Sequence, residues 1–552
     1  MFCSILIGTT LSISQDLTSV QDNLKTVETG KSTFRQELRI IEEGLVRYSV
    51  VEVDVKGKEK ETQYVFSFAD IDENTVRAIT KKDIIIVQLL VSGKQKLVQV
   101  IANGGDKITY ASELQLMATD AENSRNLEAS IKKIVPEAVK LDEKRLALIG
   151  YEAHLDWLIK NLGDVELPKK QIVQKLERTT ISAGLTLSQT FNAKSKSSSQ
   201  TRHFNLATLN PNSVGYRISG EEFTISVETR RGIKGVGYFE DGEQKNYTGS
   251  MKFFATSINN GKDIFKVLRA LIPLAESTFE KALPKVSDKD AALNVLNKAM
   301  ANVDAGEVSL AQNLSIKGNV AQYTLTETEP DASTEYRYRF NFSDINANNV
   351  DYNGQKDRLF VSLPTKKSVK FIQETKNASL QNYTDKLNIY FNTIEDALIG
   401  AKALKVLAEN QEKKMDDITY GSSSASSAVE RLKDLMKKVT IGEDTYDLFI
   451  ELTDTKTNTV KMTTVFSNLK KSIETVQEFS LNDINPKNCK IVVKGKHVVA
   501  ELNTNHLEKI IKTYLDGTIK PYQSKVTIET AGIEEARQIV GTIKALVEKL
   551  NG

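Results

Sequence analysis

The sequence predicts an α+β fold made of four tandem homologous modules. A landmark of the type Phe-x-Phe-x-Asp-Ile-Asx, or a close variant of it, recurs at steps of 138, 136 and 139 residues, beginning at Phe66, Phe204, Phe340 and Phe479. A tyrosine before a strand-like segment keeps a distance of 39 or 40 residues from the fifth landmark position, at Tyr110, Tyr247, Tyr383 and Tyr522. Two landmarks that hold their separation in every copy indicate an internal repeat.

The spacing of the landmarks sets the predicted domain boundaries. Residues 1–14 have signal-peptide character, and the modules then span residues 15–143, 144–284, 285–416 and 417–552. A unit of this length can bury its own hydrophobic core, unlike the short repeats of a solenoid, which depend on their neighbours. Each copy is therefore expected to fold as a domain.

Each module is predicted to begin with a helix. In module 4 apolar residues at helical spacing mark this helix, namely Val429, Leu432, Leu435 and Met436. The small polar stretch before them, Gly421 to Ala428, has the composition of a flexible linker. Between modules 1 and 2 the segment from Leu141 to Leu162 has a continuous helical pattern, which predicts a stiff connection.

A bent antiparallel sheet of about six or seven strands is predicted to follow the helix. In module 4 the strand-like segments are YDLFIEL, VKMTTVFS, FSLNDI, CKIVVKG, HVVAELN, EKIIKTYL and KVTIET. Tight hairpin turns are expected at Asn103-Gly104, Asp241-Gly242 and Asp516-Gly517, because these pairs tolerate positive φ. Two polar runs, Asn192 to His203 and Thr328 to Thr334, are predicted to be loops where the copies differ and where binding could occur.

An amphipathic helix is predicted to close each module against its sheet. In module 4 one apolar stripe is formed by Ile533, Ala536, Val540, Ile543, Val547 and Leu550. The charged residues assigned to positions outside the stripe are Glu534, Glu535, Arg537 and Lys544. Counterparts of this helix are expected near residues 120–135, 263–275 and 394–408.

A bent antiparallel sheet closed by a C-terminal helix resembles the pleckstrin-homology-like architecture, here with an additional N-terminal helix. The resemblance covers the order of elements in each copy. It implies a binding or scaffolding module rather than an enzyme. An open α+β sheet with helices on one face fits the same order of elements.

The composition excludes several classes of protein. The formal net charge of +2 gives no general attraction to nucleic acid or anionic membranes, and no specific nucleic-acid signal is present. Cys3 and Cys489 are the only cysteines, which excludes a disulfide framework and a four-cysteine zinc site. No internal stretch approaches the roughly 20 apolar residues that span a bilayer, so no transmembrane helix is expected.

No cofactor and no metal site are predicted. Asp70, Asp72 and Asn74 are spaced like the first ligands of an EF-hand loop. However, Thr75 occupies the position of the required glycine, and Lys81 that of the bidentate glutamate. A turn in which Asp, Asn or Thr accepts backbone N–H groups explains the motif better.

The first fourteen residues, MFCSILIGTTLSIS, indicate the apolar core of a secretory signal peptide that is cleaved before Gln15. The first basic residue is Lys25, so we expect the precursor to begin upstream of Met1. A buried N-terminal strand is the alternative. Export predicts a bacterial protein that is periplasmic, outer-membrane-associated or extracellular.

A basic turn after the strand that follows the landmark is the candidate site. It contains Lys94 and Lys96 in module 1, Arg230, Arg231 and Lys234 in module 2, and Lys366, Lys367 and Lys370 in module 3. In module 4 the turn keeps His506 and Lys509. These positions could form an edge that meets an anionic polymer, a lipid headgroup or an acidic protein. The alternative is a solvated turn whose lysines protect an edge strand from aggregation.

The sequence shows no serine, cysteine or threonine beside a base and an orienting acid in a recognisable catalytic pattern. We therefore predict a non-catalytic secreted or cell-envelope protein that acts as a scaffold or protein-binding component. Its expected partner is another envelope or surface protein. A carrier of a lipid or small apolar ligand is the alternative. A third hypothesis, an envelope hydrolase, requires a polar cleft with converging perturbed groups.

Overall fold

The computed structural model describes residues 17–42, 44–105, 108–416, 420–421 and 424–551. The chain divides into two compact units, Met1–Ala282 and Leu283–Gly552. Each unit contains two of four similar α+β modules. The predicted signal-peptide segment, residues 1–14, lies outside the described residues.

Within the described residues every module contains nine strands. Module 1 contains β1 (Val27–Glu28), β2 (Ser32–Glu42), β3 (Leu45–Asp54), β4 (Glu59–Phe66), β5 (Arg77–Lys81), β6 (Ile84–Leu90), β7 (Val98–Ala102), β8 (Ile108–Ala111) and β9 (Glu113–Ala118). Module 2 contains β10 (Val165–Leu167), β11 (Lys170–Arg178), β12 (Gly184–Ala193), β13 (Lys196–Asn205), β14 (Gly215–Ser219), β15 (Glu222–Glu228), β16 (Val236–Glu240), β17 (Glu243–Thr248) and β18 (Ser250–Ala255). Module 3 contains β19 (Val303–Ala305), β20 (Val308–Lys317), β21 (Val320–Glu329), β22 (Ala332–Asn341), β23 (Asp351–Gln355), β24 (Arg358–Pro364), β25 (Gln373–Lys376), β26 (Ser379–Leu380) and β27 (Lys386–Phe391). Module 4 contains β28 (Val439–Ile441), β29 (Asp444–Asp454), β30 (Thr459–Ser467), β31 (Ser472–Ser480), β32 (Lys490–Lys494), β33 (His497–Asn503), β34 (Ile511–Leu515), β35 (Thr518–Gln523) and β36 (Lys525–Thr530).

Each module has a short helix before its strands and a long helix after them. The short helices are α1 (residues 17–23), α3 (Gly150–Asn161), α5 (Lys289–Ala299) and α7 (Ala425–Leu435). The long helices are α2 (Ala121–Arg145), α4 (Ile258–Ala282), α6 (Ile394–Asp416) and α8 (Ile533–Asn551). The predicted order of helix, strands and closing helix is therefore confirmed in each copy.

The nine strands of a module form two antiparallel sheets. In module 1 one sheet has the order β1-β2-β3-β4-β7-β8 and the other has the order β5-β6-β9, and the other modules repeat this arrangement. A single sheet of six or seven strands was expected, and that detail was wrong. The first strand of each module has only two or three residues, and the eighth strand of module 4, β35, is exposed along its whole length. Such strands leave little periodic apolar signal in a sequence.

The landmark forms the connection between the two sheets. Phe66 ends β4, and Phe68 begins a one-turn 3₁₀ helix, Phe68–Asp70, which a second turn, Glu73–Thr75, follows. The Oγ of Ser67 accepts from the N–H of Ala69 at 3.2 Å and caps the first turn. The rings of Phe66 and Phe68 are buried and meet edge to face at 5.1 Å. We call residues 67–76 and their equivalents, 205–214, 341–350 and 480–489, the crossover.

A glutamine on the second strand, buried in module 2 and half-buried in modules 1 and 3, joins the two sheets of its module. Gln174 of β11 donates from Nε2 to the backbone oxygens of Gly163 at 2.8 Å and Phe254 at 2.7 Å. Its Oε1 accepts from the N–H of Phe254 at 3.1 Å. Gln36 and Gln312 make equivalent bonds to β9 and β27. This side chain therefore satisfies backbone groups at the gap between the sheets.

The long helix of each module covers the crossover and the three-stranded sheet. In module 2, α4 approaches β15 so closely that a Cβ added to Gly261 would overlap the ring of Phe223. In module 3 a Cβ on Gly400 would overlap the ring of Phe391. Glycine is therefore required on the buried side of these two helices, despite its cost to helix propensity.

The connection between modules 1 and 2 is not one continuous helix. α2 ends at Arg145 and α3 begins at Gly150, whose φ is +77°, and Ile149 between them is 89% exposed. Gly150 adopts the left-handed conformation that interrupts a helix, and its effect outweighs the apolar pattern on both sides.

Two other expectations about flexible segments were wrong. The polar run 192–203 belongs to the hairpin of β12 and β13, whose ladder closes with Ala193 opposite Lys196. The run 328–334 is likewise the tip of the hairpin of β21 and β22. The serine-rich stretch before module 4 belongs to α7 and its cap from Ser424 onward, where Ser424 and Ser427 form a reciprocal capping box, while residues 422–423 lie outside the described residues. Polar composition therefore did not distinguish a loop from a strand here, because these strands are solvated on much of their surface.

No helix in the described part of the chain is long and apolar enough to cross a membrane.

Candidate docking faces between paired modules

The acidic residue of the landmark forms an ion pair between modules. Asp70, at the end of the first crossover turn of module 1, places Oδ1 2.5 Å from the Nζ of Lys262 on α4 of module 2. The side chains of Asp70 and Lys262 are only 9% and 8% exposed, respectively. In the second unit Arg537 of α8 donates from Nη2 to both oxygens of Asp344, at 2.8 and 2.6 Å. The same crossover position therefore docks on the same long helix in both units.

Burial dominates the electrostatics of these acids. Burial raises the pKa of Asp70 above its ordinary value, although the charge of Lys262 opposes the change. Burial also raises the pKa of Asp344, against the effect of Arg537. The Oδ2 of Asp70 has no hydrogen-bond partner among the described residues. Among the described residues each buried acid forms an ion pair with one cation, and removing that cation alone would leave a buried charge uncompensated, which is costly.

The first unit adds a second set of charges beside this pair. Arg145 at the end of α2 donates to both oxygens of Asp263 on α4, each at 2.5 Å. Asp142 accepts from Lys266 of α4 at 2.5 Å. Burial raises the pKa of Asp142, but the hydrogen bond from Lys266 and the charge of Lys262 lower it more, so the net change is downward. The two long helices are therefore joined by complementary charges.

The repeated tyrosine also lies at the junction of paired modules. The N–H of Tyr383 donates to the oxygen of Gly495 in the hairpin of β32 and β33 at 3.1 Å. Its ring is 3% exposed and packs with Val498, Ile533 and Ala536 of module 4. Burial raises the pKa of Tyr383 to about 12.

The equivalent junction of the first unit is open. Tyr110 and Lys96 of module 1 line a groove of about 880 Å³ together with Arg217 and Glu221 of module 2. The cavity beside Tyr383 in the second unit has a volume of only about 20 Å³. The same two surfaces are therefore in closer contact in the second unit.

We call the two surfaces that meet at each of these junctions the exit face and the entry face. The exit face of a module carries the landmark acid, the basic turn and the repeated tyrosine. The entry face carries the cation of the long helix and the tip of the hairpin between the fifth and sixth strands, residues 220–221 in module 2 and 495–496 in module 4. Modules 1 and 3 contact modules 2 and 4, respectively, through an exit face and an entry face.

The basic turn is a fixed structural element of the exit face. Its second residue adopts the left-handed conformation in every module, at Gly93, Arg231, Lys367 and His506. In module 2 Arg230, the first residue, donates to both oxygens of Glu276 on α4, at 2.6 and 2.5 Å. In module 3 Lys366 pairs with Glu412 of α6 in the same way. The first cation thus braces the turn against the closing helix of its own module.

The other predicted contact residues are on the surface. Lys94, Lys96, Arg231, Lys234, Lys367 and Lys370 are exposed. Lys96 lines the groove opposite Glu221 and so takes part in the junction of modules 1 and 2. Contact of these residues with an anionic partner stays a prediction.

Sequence reasoning missed the cations of the long helices. Arg537 was assigned to the solvent face of α8, but its side chain is only 19% exposed. It follows Ile533 by four residues and precedes Val540 by three, and such positions share a helical face. A charged residue within an apolar stripe was the signal that could have found it.

An exposed aromatic side chain marks a further groove in module 4. Phe449 of β29 is 59% exposed and lies in a groove of about 810 Å³. Charged side chains surround it, including Lys438, Asp447, Glu451 and Lys461. An exposed aromatic ring with a charged rim has the composition of a protein-binding patch.

No protein-family model matches this chain, and no curated protein matches it.

Proposed function

We propose that the chain is a non-catalytic, exported scaffold that binds another envelope or surface protein. The proposal depends mainly on one observation, which is that the buried ion pairs lie between modules. Asp70 with Lys262, and Asp344 with Arg537, join one module to the next. Buried ionic groups that hold domains in a defined arrangement favour a scaffold over a reacting centre.

The partner contact is assigned to the groove around Phe449. Interfaces are enriched in aromatic side chains, and a few such anchors carry most of the binding free energy. The charged rim of Lys438, Asp447, Glu451 and Lys461 would give specificity for a polar protein surface. The resemblance to pleckstrin-homology-like binding modules forms part of the same proposal, and the order of antiparallel strands followed by a closing helix supports it.

The chemistry of the two large grooves favours this function over an apolar ligand carrier. The groove between modules 1 and 2 has charged side chains, including Lys96, Arg217 and Glu221, among the apolar ones in its lining, and charged residues also surround Phe449. A carrier of lipid would be expected to line its cavity mainly with apolar side chains.

The proposal of export depends on the apolar segment 1–14, and N-terminal sequencing of the mature protein would test cleavage before Gln15.

Affinity capture tests the scaffold proposal. The tagged full chain is recovered from the membrane fraction of its source cell, and proteins that co-purify are identified and quantified. We expect a defined envelope protein to be captured and its yield to fall at least about tenfold with Phe449→Ala, the loss expected of an interface anchor. Ile149→Ala is the matched control, since Ile149 is also an exposed apolar residue but lies in module 2.

The same experiment can assess the basic turn. Lys367→Gln with Lys370→Gln removes two exposed charges of the turn in module 3, and Lys317→Gln with Lys386→Gln removes two exposed charges elsewhere in that module. A loss of capture with the first pair alone would assign the partner to the turn. Capture that is unchanged by Phe449→Ala would contradict the assigned groove, and a monomer that turns over a generic substrate would contradict the scaffold.

A further inference from the structure

The acid of the exit face and the cation of the entry face can be followed through all four modules. The Oδ1 atoms of Asn123 and Asn260 accept from the N–H groups of Thr119 and Thr256, each at 3.1 Å, which fixes the alignment of α2 with α4. Two residues further on, the position of Lys262 in module 2 is occupied by Arg125 in module 1. The cation position is thus Arg125, Lys262, Leu398 and Arg537 in chain order, and the acid position is Asp70, Thr208, Asp344 and Asp483.

The two positions change together along the chain. An acid in module 1 is followed by a cation in module 2, and an acid in module 3 is followed by a cation in module 4. Module 2 carries the uncharged Thr208, and module 3 carries the uncharged Leu398. Because a buried acid requires a cation, this agreement indicates that the two positions are matched as a set.

After the two observed ion pairs are assigned, Arg125 and Asp483 are the two charged residues left at the acid and cation positions. Arg125 is exposed on α2, and Asp483 is half-buried in the crossover of module 4. No ion pair of either residue occurs within the described part of the chain. Burial and the nearby charge of Glu508 raise the pKa of Asp483, as expected for an acid without a compensating cation.

Opposite charges also occur at a second pair of positions on these faces. Lys96 and Glu221 line one groove at the junction of modules 1 and 2. Their repeat equivalents are Lys509 on the exit face of module 4 and Asp83 on the entry face of module 1, and both are exposed. Opposite charges are therefore present at both of these positions.

The exit face of module 4 also exposes apolar surface that the docked modules bury. Tyr522 is 46% exposed, whereas its equivalent in module 3, Tyr383, is 3% exposed against module 4. Leu507 and Ile510, in and beside the turn of module 4, are 58% and 38% exposed. Exposed apolar residues on one face are typical of a surface that another protein covers.

We propose that copies of this chain associate head to tail, with the exit face of module 4 of one copy docked on the entry face of module 1 of the next. Asp483 pairs with Arg125, and Lys509 lies opposite Asp83. The interface joins two different surfaces, so it does not close on itself as a twofold dimer does and adds copies in series. This inference does not depend on the proposed partner protein, because an assembled chain and a single chain can both bind one.

Charge reversal provides the test. The purified full chain is examined by sedimentation velocity up to about 100 µM, where association with a Kd of about 10 µM would be largely complete. We expect oligomers of increasing size that shrink as salt is raised, since the charges at the junction are screened. Asp483→Arg or Arg125→Asp alone should abolish them, because each variant places like charges together. Glu443→Arg, at an exposed turn of module 4, makes the same change in net charge as Asp483→Arg and should leave assembly intact.

Mixing the two variants distinguishes a lost contact from a misfolded protein. In a mixture of D483R and R125D chains, every junction between unlike chains again has an acid opposite a cation, so oligomers should return. Three results would overturn the inference: a wild-type chain that stays monomeric, oligomers that tolerate both single reversals, or a mixture that stays monomeric. Oligomers equally lost with Glu443→Arg would also overturn it. None of these results affects capture of a different protein through Phe449.

Discussion

Arg537 binds both oxygens of Asp344, a residue 193 positions earlier in the chain, at 2.8 and 2.6 Å. The arginine belongs to the closing helix of module 4, and the aspartate to the crossover of module 3. Both are largely removed from water, with side chains 19% and 10% exposed. The pair therefore links the fold of one module to the position of the next.

Removing one partner of this pair should destabilise the second unit. Arg537→Met leaves the carboxylate of Asp344 buried without its cation, and we expect a loss of about 3 to 5 kcal/mol in the free energy of unfolding. Replacing both residues, Asp344→Thr with Arg537→Leu, reproduces the uncharged residues of modules 2 and 3 and should recover most of the loss. Lys433→Met, in an exposed pair, should cost less than about 1 kcal/mol.

Cys489 provides the measurement for this unit. Burial raises the pKa of its thiol to about 11, so it should react slowly with an alkylating reagent until module 4 opens. The fraction alkylated in a short pulse is followed along a urea titration in a Cys3→Ser background. Equal midpoints for the wild-type chain and Arg537→Met would show that the pair contributes nothing.

Asp142 should make the first unit sensitive to acid. Its pKa is lowered in the folded chain from the ordinary 3.8. The stabilisation is therefore fully present above pH 3.8 and is lost as the pH falls through the lower folded value. The difference in unfolding free energy between wild type and Asp142→Asn should be constant from about pH 7 to 5 and should narrow below pH 3.8.

Trp157, the single tryptophan, lies in α3 and reports on this unit by its fluorescence in urea. Glu177→Gln, at an exposed carboxylate on β11, is the control and should change stability by less than about 1 kcal/mol. A difference between wild type and Asp142→Asn that widens as the pH falls would contradict the assigned direction.

The glutamine that joins the two sheets should stabilise module 2. Gln174→Leu leaves the N–H of Phe254 and two backbone oxygens without a partner, and a buried unsatisfied group costs about 1 to 3 kcal/mol. Trp157 fluorescence in urea measures the loss, and Lys175→Ala, the exposed neighbour on β11, is the control. Module 4 has the buried Leu448 at this position. If Gln174→Leu is as stable as the wild-type chain, an apolar side chain serves equally well at this position in module 2, and the prediction is wrong.

Adding one methyl group to α4 should destabilise module 2. Alanine is favoured over glycine in a helix by about 1 kcal/mol, yet the Cβ of Gly261→Ala would overlap the ring of Phe223. We expect a net loss of about 1 to 3 kcal/mol, because the helix or the ring must move. Combining Gly261→Ala with Phe223→Leu should cost less than the two single losses together, and strict additivity by Trp157 fluorescence would argue against the contact.

The repeat, the helices and most strands could be predicted because each leaves a periodic signal. Val429 and Leu432 are buried on one face of α7, as their spacing predicted. The division into two sheets could not be predicted, because Phe68 lies two residues after Phe66 and so continues the alternation of a strand. Its 3₁₀ turn depends on the cap from Ser67. The hairpin that contains residues 192–203 was missed because strands solvated on both faces show no apolar alternation.

The docking faces were harder to predict for a different reason. The basic turn stood out because several cations are adjacent in the sequence, yet Arg230 and Lys366 brace their own modules. Lys262 lies 192 residues from Asp70, and no local pattern connects them. Contacts between modules depend on the tertiary structure of both, so only the charged position within the apolar helix stripe pointed to them.

The matched charges also limit how such a chain can be shortened by recombination. Excising modules 2 and 3 together would bring Asp70 to an entry face that carries Arg537, and an acid would still meet a cation. Excising module 2 alone would bring Asp70 to Leu398, with a carboxylate enclosed against a hydrocarbon side chain. Viable shorter relatives of this chain should therefore differ from it by a pair of modules rather than by one.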